Sequence, residues 1–202
     1  LCGTEVAEAV RRILFVPNIE LRTNTIVRRP DGNDRRVNFH VLFSDEITPE
    51  QIEEDFLREV KFAAEGTPTG TDEEWPLTIR NLETLGQRLK AQHTPFAGKS
   101  DIEVGMMNAV VDHGAVSKIL ERKRSIFGNR YLLAVPADED LSEFSWDGQG
   151  HLARKLMIQK SHILFSASAG THDFALGLRH PSADEFIEEF KSLKPCVHGS
   201  DA

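Results

Sequence analysis

The sequence predicts an α/β fold whose strands form a parallel sheet or barrel. In some segments apolar residues recur about every 3.6 residues, as in helices, and in others every second residue, as in strands. The two kinds of segment alternate with short connections, which is typical of parallel sheets covered by helices. We find no internal repeat and no domain boundary. Residues 1–202 are therefore interpreted as one domain, with a mobile loop predicted over residues 65–75.

The first strands are indicated by alternation and by turn residues. Residues 13–16 form an apolar run that Pro17 ends, and residues 29–34, Arg-Pro-Asp-Gly-Asn-Asp, are a strong turn signal. Over residues 37–43 bulky apolar side chains alternate with smaller or polar ones, which predicts a strand. His40 is expected on the face of this strand opposite the bulky residues.

The helices are indicated by capping boxes and by apolar faces. Residues 48–51, Thr-Pro-Glu-Gln, form a capping box with proline at the first helical position, and residues 100–103, Ser-Asp-Ile-Glu, form a second box. Helices are predicted over 6–13, from 48, over 77–90, from 100 towards 124 with a break near Gly114, over 149–160 and over 183–193. Strands are predicted over 13–16, 19–21, 37–43, 131–135, 163–166 and 195–197.

Composition narrows the function classes. A net charge of −8 argues against a broad cationic surface for nucleic acid, although it leaves room for a small positive pocket. Two cysteines, Cys2 and Cys196, are too few for a disulfide framework, so we expect reduced thiols and a cytoplasmic location. No apolar run is long enough for a membrane span, and no signal peptide is visible.

Polar side chains at predicted strand ends suggest a metal site. Glu20 lies at or near the end of the second strand pattern, His40 lies in the strand over 37–43, and His198 and Asp201 follow the last strand. Buried carboxylates and imidazoles are costly unless they are paired or bind metal. A mixed set of nitrogen and oxygen ligands suits zinc, manganese or iron better than calcium.

Each of these residues also has a structural interpretation. Glu20 could pair with Arg22, and His40 taken alone is more simply a hydrogen-bonded core histidine. His198 could bond a backbone carbonyl, and Asp201 could cap a following helix. Only the combination of the four residues favours a site.

The combination resembles the PHP family, the polymerase-and-histidinol-phosphatase metal-dependent phosphoesterases. Pro17–Glu20 resembles the family's glutamate motif, Asn38–Leu42 a following histidine motif, and His198–Ala202 the last motif, which stops before its expected histidine. The likeness covers most of the chain from Phe15 onward. It is greatest to PHP segments at the N-terminus of large bacterial AAA-like ATPases. The family's HxH motif does not occur in residues 1–202.

The resemblance implies a distorted (β/α)7 TIM-like barrel, incomplete here because the first-strand motif and the chain end are missing. It implies that Glu20, His40, His151 and Asp201 hold the metal, with catalytic roles for Asp201 and His198. His151 is favoured because Gly148-Gln149-Gly150 lets the backbone approach a site closely, and His113 is the rival. His151 could equally be an ordinary helix N-terminal residue.

Arg154 and Lys155, at the start of the helix predicted over 149–160, are the candidate phosphate-binding residues. The first hypothesis is therefore a metal-dependent phosphoester hydrolase that uses a metal-activated water. It would belong to a larger ATPase chain, with nucleic acid as a candidate substrate.

A second hypothesis is a catalytically degenerate PHP scaffold with a regulatory or docking role, and a third is an α/β domain without metal. The sequence contains no GxxxxGK[ST] or GxSxG motif and no pair of cysteines with zinc-finger spacing.

Overall fold

A computed structural model describes residues 14–28, 33–67, 73–137, 140–144, 146 and 151–198. These residues form an α/β structure around one eight-stranded sheet with the strand order β4-β3-β5-β1-β2-β6-β7-β8. The strands are β1 Asn18–Arg28, β2 Asp34–Phe43, β3 Lys61–Ala64, β4 Trp75–Pro76, β5 Ala109–Val111, β6 Tyr131–Pro136, β7 Ile163–Phe165 and β8 Cys196–Val197.

The sheet is mixed, which corrects the prediction of a parallel sheet. β1 and β5 are parallel, as are β6, β7 and β8, whereas β2 is antiparallel to both β1 and β6. The connection from β1 to β2 is only a few residues long, and a short connection joins antiparallel neighbours, because a parallel pair needs a longer crossover. Over the described residues the sheet does not close into a barrel.

The helices lie between the strands. They are α1 Pro49–Gln51, which continues as a π-helix over Ile52–Leu57, α2 Ile79–Gln92, α3 Asp101–Asn108, α4 His113–Arg122, α5 Arg124–Phe127, α6 Leu152–Lys160, α7 Ala169–Ala175 and α8 Ala183–Phe190. Both predicted capping boxes are confirmed. Thr48 and Gln51 exchange hydrogen bonds at the start of α1, and Ser100 and Glu103 do so at the start of α3.

Two parts of the predicted element order are wrong. The helix predicted from residue 100 towards 124 is interrupted by β5, so that α3 and α4 are separate helices. The strand predicted over 13–16 is not a strand in its described part, where residues 14–16 are exposed. The helix predicted over 6–13 lies outside the described residues. The strand predicted over 37–43 is confirmed within β2.

The α2–α3 pair packs with unusually close backbones. A Cβ atom added at Gly86 would lie 1.8 Å from the carbonyl oxygen of Asp101, and one at Gly105 would lie 2.0 Å from that of Leu82. Only glycine fits at these two positions, so their hydrogen side chains set the distance between the helices.

Buried apolar side chains from the strands and helices form the core. Phe43, Phe56 and Phe127 make one aromatic group within it. No helix in the described ranges is long and apolar enough to cross a membrane.

Candidate functional site

A cleft of about 990 Å³ lies along the polar face of the β1–β2 hairpin. Its other wall is formed by Pro136 and Phe165 at the ends of β6 and β7, by the residues that follow them, and by Arg154 of α6. The carboxyl ends of parallel strands in open α/β sheets are the usual place for binding sites. Of the predicted site residues, Glu20, His40 and Arg154 line this cleft together.

Glu20 and His40 meet because they are partners in the β1–β2 register. On β2, the alternation of the strand buries Phe39 and Val41 on one face and directs His40 to the other. The Oε1 atom of Glu20 lies 4.0 Å from Nε2 of His40. Glu20 is exposed, whereas His40 is buried with 8% of its surface accessible.

Two asparagine side chains orient this pair. Nδ1 of His40 lies 3.3 Å from Oδ1 of Asn18, and the amide of Asn38 donates to Oε1 of Glu20. An amide oxygen can only accept, so this contact favours a proton on Nδ1 and leaves Nε2 as the nitrogen that faces Glu20. The ring edge also packs against Phe165, with 5.0 Å between centroids. His40 is thus held with Nε2 towards the Glu20 carboxylate.

Arg154 places a buried cation in the wall of the cleft. Only 2% of its surface is accessible, and its guanidinium lies 5.1 Å from the ring centroid of Phe144. A cation over an aromatic face is stabilised by the ring quadrupole, and the planar guanidinium suits phosphate oxygens.

A second group of charges lies further along the hairpin. Glu65, in the turn after β3, receives hydrogen bonds from Arg22 of β1 at 3.0 Å and from Arg36 of β2 at 2.9 Å. Burial raises the pKa of Glu65, but the Arg36 hydrogen bond and the charges of both arginines outweigh it and lower the pKa below its usual range. Glu65 is therefore a carboxylate at neutral pH.

The structure does not bring the predicted histidine ligand His151 to the cleft lining. Its ring packs edge-on against Phe144, 5.1 Å between centroids, and near Trp146 at the start of α6. His113 is also outside the lining. Its Nδ1 lies 3.4 Å from Oγ1 of Thr25, and burial lowers its pKa.

The remaining predicted residues are placed as follows. Lys155 forms an ion pair of 2.5 Å with Glu189 of α8 and does not line the cleft. Since the two residues are consecutive on α6, Arg154 and Lys155 point to different sides of the helix. His198 is exposed immediately after β8. Asp201 lies outside the described residues.

The donor set of the cleft fits a divalent cation in part. Zinc ligands lie about 2.0–2.2 Å from a tetrahedral ion, which places two ligand atoms about 3.4 Å apart. Glu20 Oε1 and His40 Nε2 are 4.0 Å apart, so they would share one ion after a small side-chain movement. The proton on Nδ1 and its bond to Asn18 are the outer contact that metal-binding histidines usually have. Among the described residues, no group of three or more His, Cys, Asp or Glu side chains could hold a metal. The Glu20–His40 pair is thus a partial site within the described ranges.

Sequence reasoning missed Asn18, Asn38 and the charged group around Glu65. The signal that could have found them is the alternation of polar residues along the strands. In β1, for example, Asn18, Glu20 and Arg22 occupy every second position. Such a pattern predicts a polar face as clearly as alternating apolar residues predict a buried one.

Comparison with protein-family models, with curated proteins and with solved structures found no match to this chain.

Proposed function

We propose that this chain is a metal-dependent phosphoester hydrolase domain. The observation that carries the proposal is the meeting of Glu20 and His40 across the β1–β2 pair, in the same cleft as the buried Arg154. A carboxylate and an imidazole are ligands for a divalent cation, and a guanidinium binds the oxygens of a phosphate. The PHP-like motifs described above support the same chemistry.

Each residue has a defined role in this proposal. The Glu20 carboxylate and Nε2 of His40 hold the cation, which is zinc, manganese or iron. Asn18 keeps the proton of His40 on Nδ1, so that Nε2 can act as a ligand. A cation held there would supply a water of lowered pKa and would neutralise charge on the phosphate. Arg154 orients the phosphate oxygens.

Charge in the cleft supports an anionic substrate. Although the chain has a net charge of −8, the described lining carries the four arginines 22, 35, 36 and 154 against the three acids Glu20, Asp34 and Glu65. Local positive charge concentrates anions even on an acidic protein.

Nucleic acid remains the candidate substrate, and we propose a cytoplasmic protein in which the domain belongs to a longer ATPase chain. We also retain Asp201 as a proposed ligand and His198 as its catalytic neighbour.

The test measures metal binding and turnover on the same preparation. Metal-free protein is titrated with Mn²⁺ and Zn²⁺ by calorimetry, and hydrolysis of p-nitrophenyl phosphate and of bis-p-nitrophenyl phosphate is then followed. We expect saturable metal binding and metal-dependent release of nitrophenol. The absence of any metal binding would contradict the hydrolase proposal.

One observation favours the scaffold as a second candidate. The described residues supply only a pair of adjacent ligands, where a catalytic metal usually has three protein ligands. A scaffold would bind its ATPase module equally well with and without His40, and would show neither metal binding nor turnover in the assay above.

A further inference from the structure

Arg22, Arg36 and Glu65 form a group that we call the Glu65 clamp. The two arginines come from different strands and converge on one carboxylate, each bonding a different oxygen. All three residues line the cleft that contains Glu20 and His40. The two cations of the clamp are therefore arranged around a single anionic group.

The carboxylate does not use all the donors that the clamp offers. Arg36 donates a hydrogen bond from Nη2 to Glu65 and another from Nη1 to the carbonyl oxygen of Thr23. Its buried Nε makes no hydrogen bond to the described residues. The Nε and Nη2 hydrogens of a guanidinium lie side by side and match two oxygens of one phosphate. A buried donor without a partner is costly, so an anion with more oxygens would bind this guanidinium better.

We propose that Arg22 and Arg36 form a binding site for a phosphate group, and that Glu65 occupies it until the phosphate displaces it. The inference deepens the proposed function and rests on it only in taking the anion to be a phosphate. Glu65 acts as an internal competitor, because its attachment to the chain gives it a high effective concentration at the two arginines.

The position of the clamp indicates which phosphate it takes. Arg22 is two residues after Glu20 on β1 and points to the same face, so the clamp lies about 7 Å along the strand from the proposed metal pair. The phosphate at Glu20, His40 and Arg154 is the one to be hydrolysed, and the clamp binds a second phosphate of the same substrate. The substrate class is therefore a molecule with at least two neighbouring phosphate groups.

Metal-free protein in EDTA is titrated with inorganic phosphate, by calorimetry and by the NMR signal of the Arg36 Nε–H group. Glu65→Gln keeps the size of the side chain but removes its charge. We expect Kd for phosphate to fall about tenfold, equivalent to about 1.4 kcal/mol. Arg36→Gln should raise Kd by at least the same factor. Because no metal is present, this result is independent of whether the protein hydrolyses anything.

Glu59 supplies a matched control. Like Glu65 it is a partly exposed glutamate between two cations, here Arg122 and Lys123, but it does not line the cleft. Glu59→Gln should leave Kd for phosphate unchanged. Thermal unfolding of each variant shows whether it is folded before binding is compared.

The inference is overturned if Glu65→Gln leaves Kd unchanged or raises it, or if Arg36→Gln binds phosphate as the wild type does. A second measurement uses turnover. Arg36→Gln should raise KM for a substrate with two neighbouring phosphates by a clearly larger factor than it raises KM for p-nitrophenyl phosphate. Equal changes in both would also overturn the assignment of a second phosphate site.

Discussion

Glu20 and His40 are direct partners across the β1–β2 ladder, with 4.0 Å between Oε1 and Nε2. Backbone hydrogen bonds of the sheet fix this neighbourhood, so the two side chains remain close without any loop to position them. A lone pair on Nε2 facing a carboxylate is repulsive unless a proton or a metal ion lies between the two groups. A cation bound between the two groups would remove this repulsion.

Replacing His40 by alanine should remove metal binding. The change deletes one of the two described ligands, so we expect the affinity for Mn²⁺ or Zn²⁺ to fall by at least about 100-fold, beyond the usual effect of losing an outer contact. Turnover should fall with it. Calorimetric titration checks the affinity. His93→Ala, at an exposed histidine outside the cleft, is the control, and equal metal affinity in both variants would contradict the proposed role of His40.

Replacing Asn18 by alanine should weaken metal binding less than the His40 change. Asn18 holds the His40 ring through Nδ1 and, like other outer contacts of metal ligands, should contribute a factor of about 10–100 in metal affinity. Asn18 is thus a positioning residue. Its effect is identified by a titration of His40 followed by NMR, in which the preferred tautomer should shift. An unchanged tautomer would remove Asn18 from this role.

Replacing Arg154 by lysine should raise KM for phosphoesters with a smaller effect on kcat. Lysine keeps the charge but loses the planar set of donors that binds two phosphate oxygens, so we expect KM to rise about tenfold. Steady-state kinetics with p-nitrophenyl phosphate checks this. Arg88→Lys is a matched control, because Arg88 also lies over an aromatic ring, that of Trp75, but outside the cleft.

Replacing Gly105 by alanine should destabilise the fold. The new Cβ would lie 2.0 Å from the carbonyl oxygen of Leu82, so α2 and α3 would have to separate. Overpacking of this kind costs about 1–3 kcal/mol of the free energy of unfolding. Urea denaturation measures it. Gly98→Ala, where a Cβ meets nothing within 4 Å, should change stability little. Equal stability of the two variants would argue against the close helix contact.

Lys194 makes stability depend on pH in the alkaline range. The side chain is 1% exposed and donates to the carbonyl oxygens of Gln159 and Ser161 and to Oγ of Ser192. Burial lowers its pKa to about 8, against about 10.4 for lysine in an unfolded chain. Between these values the unfolded chain binds more protons, so the free energy of unfolding contributed by Lys194 rises as the pH rises.

Urea denaturation at pH 7.5, 9 and 10 tests this effect. The difference in stability between the wild type and Lys194→Met isolates Lys194 from other groups that titrate in the same range. The free energy of unfolding of the wild type should rise relative to that of Lys194→Met as the pH increases. A difference that stays constant over the three pH values would show that the pKa of Lys194 is not lowered.

The fold class and several elements follow from the sequence, but the direction of β2 did not. The turn over residues 29–34 was visible in the sequence, and a short turn already implies an antiparallel pair. We nevertheless expected a parallel sheet, because the rest of the chain alternates strands with helices. β5 was missed for a different reason. Residues 106–111 are almost continuously apolar, and such a run does not distinguish the end of a helix from a short strand.

The site was predictable as far as it depends on strand alternation. Glu20 and His40 could be placed on strands from local pattern alone, and the register between the strands then brings them together. The Glu65 clamp could not be predicted in this way. Its contacts join residues 43 and 29 positions apart, and such contacts depend on the order of strands in the sheet. His151 was chosen from neighbouring glycines, a local signal that carries no information on distance from His40.

The central position of His40 has a consequence for amide hydrogen exchange. Its strand is hydrogen-bonded on both sides, with Glu20 as partner in β1 and Ala134 in β6. Amides in such a place exchange with solvent only when the whole domain unfolds, whereas those in turns exchange through small local openings. The His40 amide should thus be among the slowest in the chain and the amide of Gly66, in the turn beside Glu65, faster. The Glu20–His40 pair then persists for as long as the protein stays folded, and the clamp can open many times within that period.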